Sequence, residues 1–308
     1  MDDPISSEHR ALLAVQDLGV DEVRDILHLA QQFEASRPGA SRTTCFSAGL
    51  LFLSPSLRTR VGFAEAAIRL GGIPIDVSEL RSGPEMSTGE TFADTLRTVS
   101  GMVDVVVCRV PFHLDRELVA TASAAPFINA GDGKNGGHGE HPSQALIDLL
   151  AIEDHGPINE LRVGICGDLR GRAPRSLVRL LNLVQPAALT LIAPPSRDDP
   201  GVPISVSLSR RTFRRAEADF SELDVLYMAG LPEGEGAHRM GVEARLAFAL
   251  TKDRLRTLGA DAVVLSPMPV IDEIAPEVRE DPRVKVFAQS DRGVSIRMAL
   301  LGRLLPDS

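Results

Sequence analysis

The chain has 308 residues and a mass of 33.0 kDa, a size that usually divides into two domains of about 150 residues. Apolar residues make up 44% and charged residues 24%, a composition that excludes wholesale disorder. A net charge of −9, with no Trp and one Tyr, argues against a nucleic-acid-binding protein, which needs basic patches and stacking side chains.

Short apolar runs alternate with longer helical patterns, which is typical of βαβ units. The predicted strands are Gly49–Leu53, Ile73–Val77, Val103–Arg109, Phe127–Ala130, Arg162–Cys166, Thr190–Ala193, Val225–Met228, Ala262–Leu265 and Val284–Phe287. The predicted helices are Val20–Ala35, Arg60–Leu70, Gln144–Glu153, Arg175–Leu183, Ile271–Ile274 and Ser295–Leu305. Two charge-rich segments, Ser196–Glu217 and Glu233–Arg245, show weak periodicity, and we expect them to run over the surface.

These elements predict an α/β fold with two doubly wound parallel-sheet domains and an active site in the cleft between them. The first domain spans residues 1–150, with the closing helix, residues 295–308, packed back on it. The second domain spans residues 151–294.

The cysteines and the termini favour a cytoplasmic protein. Cys45, Cys108 and Cys166 are far apart and odd in number, so they suggest neither a disulfide framework nor a metal site. Cys108 and Cys166 lie in apolar runs, where a buried reduced thiol is expected. The acidic start of the chain does not resemble a secretory signal, and no apolar stretch is long enough to span a membrane.

The strongest local signal is the segment LFLSPSLRTR at residues 51–60, where a predicted strand leads through a polar turn into a helix. The open N–H groups at a helix N-terminus bind anions. Ser56 and Thr59 add hydroxyl donors, and Arg58 adds a planar fork that fits phosphate oxygens. A simple Ser cap with solvated arginines would have the same pattern, and this segment alone does not decide between the two.

A second polar segment runs from Gly131–Gly133 to the start of the next helix at residues 140–144. His141 and Gln144 are three residues apart and can face one site across the first turn. A neutral His could donate to a carbonyl oxygen, and a Gln could accept from an amide. A capping or core histidine is the plainer alternative. His138 and His141 could form a metal pair, but no third ligand has a suitable spacing.

Two other motifs carry less weight. Gly164, Gly167 and Gly171 follow a predicted strand, but their spacing is not that of a dinucleotide fingerprint, so a tight strand-to-helix turn is the better interpretation. Neither Ser54 nor Ser56 lies in the G-x-S-x-G pattern of a serine nucleophile.

Taken in order, the segments of this chain resemble the aspartate/ornithine carbamoyltransferase family. They are SLRTR, GETFADTLRTVS, VVVCRVP, EHPSQALIDLL, GDLRGR, LYM, SPMPVIDEI and FAQSDRGVSIRMALL, and the similarity runs from about Ala11 to Leu305. The aspartate branch is the closer one, because the ornithine branch carries a cysteine where this chain has Ser266–Pro269.

The resemblance implies carbamoyl transfer from carbamoyl phosphate, bound by the first domain, to an amine bound by the second. It implies a homotrimer with sites at subunit interfaces, and it implies no metal, organic cofactor or covalent nucleophile. The catalytic residues it implies are Arg58, Thr59, Arg109 and His141. The further substrate-binding residues it implies are Ser56, Leu57, Gln144, Arg172, Met268 and Pro269. In this comparison Gln144 holds the carbamoyl amide, Arg172 binds a carboxylate of the acceptor, and the Met268 carbonyl orients the attacking amine.

The chain also departs from the family pattern. The loop lysine that the family supplies across a subunit interface is absent from Ser87-Thr88-Gly89. Ala229–Pro232 stand where the family has a Thr-Arg-Val-Gln run that binds aspartate. In the next motif, Ser266 and Val270 stand where the family usually has a His and an Arg. We therefore expect an acceptor other than aspartate, or alternatively a non-catalytic paralogue that keeps the fold for ligand binding or assembly.

Overall fold

The computed structural model describes residues 11–36, 45–77, 89–133, 139–194, 199, 201, 208–212, 220–231 and 241–305. The chain forms two compact units, Met1–Ser143 with Gly293–Ser308, and Gln144–Arg292. Each unit contains one five-stranded sheet whose strands are all parallel, with helices in the connections. The predicted class, α/β with two parallel-sheet domains, is confirmed.

The elements are numbered in chain order. The strands are β1 (Ala11–Leu12), β2 (Ser47–Phe52), β3 (Ile73–Asp76), β4 (Val105–Arg109), β5 (Phe127–Asn129), β6 (Arg162–Gly167), β7 (Ala188–Ala193), β8 (Leu208–Thr212), β9 (Val225–Gly230) and β10 (Val263–Leu265). The helices are α1 (Val20–Ser36), α2 (Leu57–Arg69), α3 (Phe92–Ser100), α4 (Arg116–Ala122), α5 (Pro142–Glu153), α6 (Arg172–Val184), α7 (Val242–Leu246), α8 (Lys252–Leu255), α9 (Val286–Asp291) and α10 (Gly293–Leu304).

The first sheet has the strand order β1-β5-β4-β2-β3. Strands β2 and β4 are central, and β4 is buried along its whole length, as expected for parallel strands covered on both faces. Phe52 of β2 lies opposite Arg109 of β4, and the N–H of Leu53 donates to the carbonyl of Arg109 at 2.8 Å. The carboxyl ends of β2 and β4 are therefore level, and the residues that follow both strands meet at one edge of the sheet.

The second sheet has the order β10-β9-β6-β7-β8. The register between β6 and β9 shifts by one residue where Cys166 is followed by Gly167, which pairs with Gly230. Gly167 has a φ of +131°, and a β-carbon there would lie 2.8 Å from the backbone nitrogen of Gly230. Only glycine fits this close approach of two strands.

Two predicted elements are wrong. Val284–Phe287 was predicted as a strand, but only Val284 makes a bridge, to Val264, and α9 begins at Val286. The buried residues of α9 are Val286 and Gln289, which are three positions apart, a helical spacing. The strand-like alternation therefore does not continue beyond Val284. The predicted short helix at Ile271–Ile274 is also absent, because Ile274 instead forms a bridge with Leu250.

The sequence did not predict two of the four strands at the sheet edges, β1 and β8. The two-residue strand β1 is too short to show alternation. Strand β8 lies inside the charge-rich segment Ser196–Glu217, which was expected to run over the surface. Most of that segment and of Glu233–Arg245 falls outside the described residues. Among the described helices, none has the length and the apolar character needed to cross a membrane.

We predict that Gly167→Ala lowers the free energy of unfolding by about 2–4 kcal/mol, because a β-carbon forces a strained backbone and separates β6 from β9. Gly302→Ala is the matched control. Gly302 lies inside α10, and a β-carbon added there would meet no atom within 4 Å, so alanine should stabilise the protein by about 0.5–1 kcal/mol. Urea denaturation measures both changes, and equal stabilities of the two variants would contradict the packing argument.

Candidate functional site

Helix α2 begins directly after the turn that follows β2, and its N-terminus is open. Ser56 is the N-cap residue with an extended backbone, and its side chain caps no N–H of the first turn. Among the described residues, none accepts a hydrogen bond from the N–H groups of Leu57, Arg58 or Thr59. The side chain of Leu57 is 77% exposed and that of Thr59 is buried. This turn can therefore receive an anion through its backbone N–H groups, as the sequence predicted.

A second arginine strengthens the positive charge near this turn. Arg297 of α10 is 4% exposed, and its guanidinium lies 5.4 Å above the ring of Phe63. A β-carbon on Gly62 would lie 2.8 Å from the Arg297 Cζ, so glycine makes room for the guanidinium. Burial, together with repulsion from Arg58, lowers the pKa of Arg297 to about 10. Among the described residues, Arg297 has no carboxylate partner, so its charge adds to the field that attracts an anion.

Sequence reasoning missed Arg297. Its signal was an arginine inside the apolar helical run from Ile296 to Leu301, where a charged side chain must be buried or reach outward. Burial also lowers the pKa of Arg58, the predicted phosphate ligand on the first turn of α2. Both cations belong to the same unit as the open N-terminus.

Arg109 and His141, two predicted site residues, lie together at the carboxyl edge of the first sheet. The Nη1 of Arg109 donates to the carbonyl of Ala130 at 2.9 Å and lies 3.3 Å from the Nε2 of His141. The Nδ1 of His141 lies 3.4 Å from the Oγ of Ser143. Because a guanidinium only donates, Nε2 accepts and the neutral ring carries its proton on Nδ1. Nε2 can donate to a ligand only if Arg109 turns away and the proton moves to Nε2.

The loop before His141 is held by the buried carboxylate of Asp132. Its Oδ2 accepts from the N–H of Leu114 at 2.8 Å and from His113 Nδ1 at 2.9 Å. Its Oδ1 accepts from the N–H of Glu140 at 2.6 Å. These bonds fix the backbone immediately before His141. His138, the other half of the predicted metal pair, lies outside the described residues.

In the second unit, Gln144 lies in the first turn of α5 and belongs to a buried network around Asp148. Gln144 Nε2 donates to Asp148 Oδ1 at 2.7 Å, and Gln289 Nε2 donates to the same oxygen at 2.5 Å. The hydroxyl of Tyr227 donates to Oδ2 at 2.7 Å. Burial raises the pKa of Asp148 to about 7, and the three hydrogen bonds oppose that rise. Sequence reasoning missed Asp148, although an acid within the apolar run QALIDLLAIE was its signal.

The segment Ser266–Pro269 follows β10, and its backbone is held from both ends. The N–H of Ser266 donates to Gln289 Oε1 at 2.9 Å, and the N–H of Met268 donates to Ser266 Oγ at 3.1 Å. Met268 has a φ of +54° and is followed by a cis peptide bond to Pro269, which is exposed.

The end of β9 differs from the rest of the site in its charge. Gly230 has a φ of +70°, and a β-carbon there would lie 3.4 Å from the Glu273 carboxyl carbon. Burial raises the pKa of Glu273. Arg245 of α7 donates from Nε to Asp272 at 2.7 Å. Two carboxylates and one arginine therefore line the space beside Gly230.

Of the other predicted site features, the structure describes Arg172 but not the lysine-free loop. Arg172 begins α6 with Gly171 as its N-cap residue. The lysine-free loop around Ser87 and Thr88 and the residue Pro232 lie outside the described residues. Among the residues that the structure does describe, no cluster of three or more His, Cys, Asp or Glu could hold a metal ion.

Comparison with protein families gives two matches that together span most of the chain. A family model described as aspartate/ornithine carbamoyltransferase, carbamoyl-P binding domain, matches residues 10–154. A second, described as aspartate/ornithine carbamoyltransferase, Asp/Orn binding domain, matches residues 159–304.

Individual proteins are similar over nearly the same span. An aspartate carbamoyltransferase catalytic subunit from Finegoldia magna is 36% identical over 97% of this chain and 98% of its own length. One from Methanoculleus marisnigri is 35% identical over 96% of this chain and 99% of its own. Among solved structures, the catalytic subunit of M. jannaschii aspartate transcarbamoylase has a TM-score of 0.82 at 28% identity, covering 96% of this chain and 97% of that one.

A further solved structure carries a ligand. Aspartate transcarbamoylase from Trypanosoma cruzi in complex with carbamoyl phosphate has a TM-score of 0.84 at 26% identity, and the match covers 97% of this chain and 96% of that one. Both structural neighbours are similar along nearly the whole length of this chain, so the likeness includes both parallel sheets.

We predict that inorganic phosphate binds the first turn of α2 and that Arg58→Ala weakens its affinity about ten- to a hundredfold, because one charge-assisted hydrogen bond is lost. Arg60→Ala is the matched control. Arg60 is exposed and pairs with Asp76, so its loss should change the affinity by less than about threefold. Titration calorimetry measures both, and equal affinities of the Arg58 variant and the parent protein would reject the assignment.

Proposed function

Because the chain belongs to the aspartate/ornithine carbamoyltransferase family, we propose that it transfers the carbamoyl group of carbamoyl phosphate to the amino group of an acceptor. The observation that carries this proposal is the arrangement at the carboxyl edge of the first sheet. There the open N-terminus of α2, with Arg58 and Thr59, follows β2, and the Arg109–His141 pair lies at the end of the neighbouring β4.

The donor binds through its phosphate. The N–H groups of Leu57, Arg58 and Thr59 bind its oxygens, aided by the hydroxyls of Ser56 and Thr59 and by the guanidinium of Arg58. The field of the buried Arg297 strengthens this binding without contact. A dianionic phosphate also competes for Arg109, which frees the Nε2 of His141. Once the ring proton has moved from Nδ1 to Nε2, this nitrogen donates to the carbamoyl oxygen.

The reaction is an attack of the neutral amine nitrogen on the carbamoyl carbon. A carbon–nitrogen bond forms, the bond from that carbon to the bridging oxygen of phosphate breaks, and one amine proton leaves with the phosphate. Negative charge develops on the carbamoyl oxygen and on the departing phosphate. Donors from His141, Arg109 and the α2 turn are aimed at both, so catalysis rests on positioning and electrostatic stabilisation.

The acceptor is bound by residues of the second unit. Arg172 is the proposed partner of an acceptor carboxylate, and the carbonyl of Met268 is the proposed partner of its amine. Relatives named aspartate carbamoyltransferase make L-aspartate the reference acceptor.

We propose that L-aspartate is nevertheless a poor acceptor for this chain. Two carboxylates need paired cationic donors, and burying one of them unpaired costs several kcal/mol. At the position where the family carries its second arginine, this chain has Gly230, with the Glu273 carboxyl close by. A second carboxylate would be repelled there. An acceptor with a single carboxylate, or with a larger apolar side chain, fits the residues around Gly230 better.

We further propose that the protein is a homotrimer, as the resemblance to the family implies. The first unit exposes a row of apolar side chains on one side of α2, namely Leu57, Val61 and Ile68. Their spacing of four and seven residues puts them on one helical face. Exposed apolar patches of this kind mark surfaces that other protein chains cover.

We predict that phosphate release from carbamoyl phosphate requires an added amine and that L-aspartate at saturation gives far less than one turnover per second. Loss of a single donor typically costs roughly 10²–10³ in rate, and both the loop lysine and the second arginine are missing. A panel of amino acids, with phosphate release and the ureido product both quantified, measures this.

The panel separates the alternatives. Aspartate turnover of roughly 1–10³ per second would show that the acceptor proposal is wrong. If carbamoyl phosphate binds but no amine of the panel accelerates phosphate release, the chain is a binding paralogue and the proposed catalysis is wrong.

We predict a molar mass of three chains by light scattering at micromolar concentration. Replacing Val61 with Asp puts a charge into the exposed row on α2 and should reduce the mass to that of one 33.0 kDa chain. Glu65→Gln on the same helix is the control that leaves the trimer intact. A single-chain mass for the parent protein would reject the trimer.

A further inference from the structure

A chain of hydrogen bonds in the second unit has a fixed direction that starts at the backbone. The N–H of Ser266 can only donate, and it donates to Gln289 Oε1 at 2.9 Å. The carboxamide of Gln289 is thereby oriented, and its Nε2 faces Asp148 Oδ1 at 2.5 Å. A backbone N–H cannot be reversed, so this direction does not depend on how a side-chain amide is assigned.

The same oxygen of Asp148 fixes the carboxamide of Gln144. Gln144 Nε2 donates to Asp148 Oδ1 at 2.7 Å, while the second oxygen accepts from the Tyr227 hydroxyl at 2.7 Å. A reversed Gln144 would set its carbonyl oxygen against a carboxylate oxygen in a buried site, an arrangement of two acceptors that costs a hydrogen bond and adds repulsion. The NH₂ of Gln144 is therefore committed to Asp148, and its Oε1 is the free end of the amide. Among the described residues, none donates to that oxygen.

We propose that Asp148 is a positioning residue that makes the site select a carbamoyl over an acetyl phosphate, by holding the Gln144 carbonyl oxygen toward the amide of the ligand. This rests on the proposed function, in which Gln144 contacts the carbamoyl group. Carbamoyl phosphate and acetyl phosphate have almost the same shape and differ in one group, NH₂ against CH₃. An oriented acceptor bonds to NH₂ and leaves its own lone pairs unpaired against CH₃.

The test compares two stable ligands that differ in the same way. Phosphonoacetamide carries the amide, and 2-oxopropylphosphonate carries a methyl ketone in its place. Calorimetric titration of each ligand at pH 8, where Asp148 is ionised, gives a ratio of affinities. We expect the parent protein to favour the amide about ten- to a hundredfold. Because both ligands bind the same folded molecules, the ratio is unaffected by a partly unfolded sample.

Three substitutions separate positioning from stability. Asp148→Leu replaces both acceptor oxygens with methyl groups on the same branched skeleton. Asp148→Ala removes them without added methyl groups if the larger leucine side chain prevents folding. In either variant the ratio should fall below about threefold. Asp148→Asn can accept from both Gln amides and donate to the Tyr227 oxygen, so it should restore most of the ratio.

Tyr227→Phe is the matched control. It removes the donor to the other oxygen of Asp148, so it should lower the melting temperature but keep the ratio within about twofold of the parent value. A ratio that survives in Asp148→Leu or Asp148→Ala, or a parent ratio near one, overturns the proposal. If neither phosphonate binds the parent protein, the proposed function fails, and the inference that rests on it falls with it.

Discussion

The proposed donor site depends on the parallel pairing of β2 with β4. In a parallel pair both strands end at the same edge, and the register here is level, with Phe52 opposite Arg109. The pairing brings the open start of α2 and the side chain of Arg109 to the same edge of the sheet. Hydrogen bonds to Asp132 hold the loop that precedes His141 and so help to position His141 at the same edge.

Arg297 and Asp148 are buried without a partner of opposite sign among the described residues, and each lies beside a proposed ligand contact. Arg297 packs on Phe63 near Arg58, and burial keeps its pKa near 10. Asp148 is held by three neutral donors, and burial keeps its pKa near 7. Relative to an exposed carboxyl, ionised Asp148 costs on the order of 4 kcal/mol above pH 7, and this cost disappears as the pH falls and the group is protonated. A neutral side chain of similar shape would avoid it, which is consistent with a role in orientation rather than stability.

Much of the architecture was predictable because its signals are local. Strand β4 is a continuous apolar run, and the turn before α2 combines hydroxyls with arginines, so both stand out in the sequence. The roles of Arg297 and Asp148 were not predictable, because each depends on burial by distant residues, Phe63 for one and Tyr227 with Gln289 for the other. The strand prediction at Val284–Phe287 was wrong for a related reason. Four residues are too few to distinguish the helical period from the strand period, so tertiary packing decides between them.

The end of β9, which is proposed to lie beside the acceptor, has a distinctive backbone as well as side chains that differ from the family pattern. Gly230 adopts a left-handed φ next to the close approach of Gly167, so the end of β9 is shaped by two glycines that face each other. An arginine at residue 230 would be strained in that conformation, and its β-carbon would lie against Glu273. Arg245 is already paired with Asp272, and moving it would leave that acid without its cation. The end of β9 therefore departs from the family pattern through several coupled features, and no single side chain in the described part of the second unit accounts for that difference.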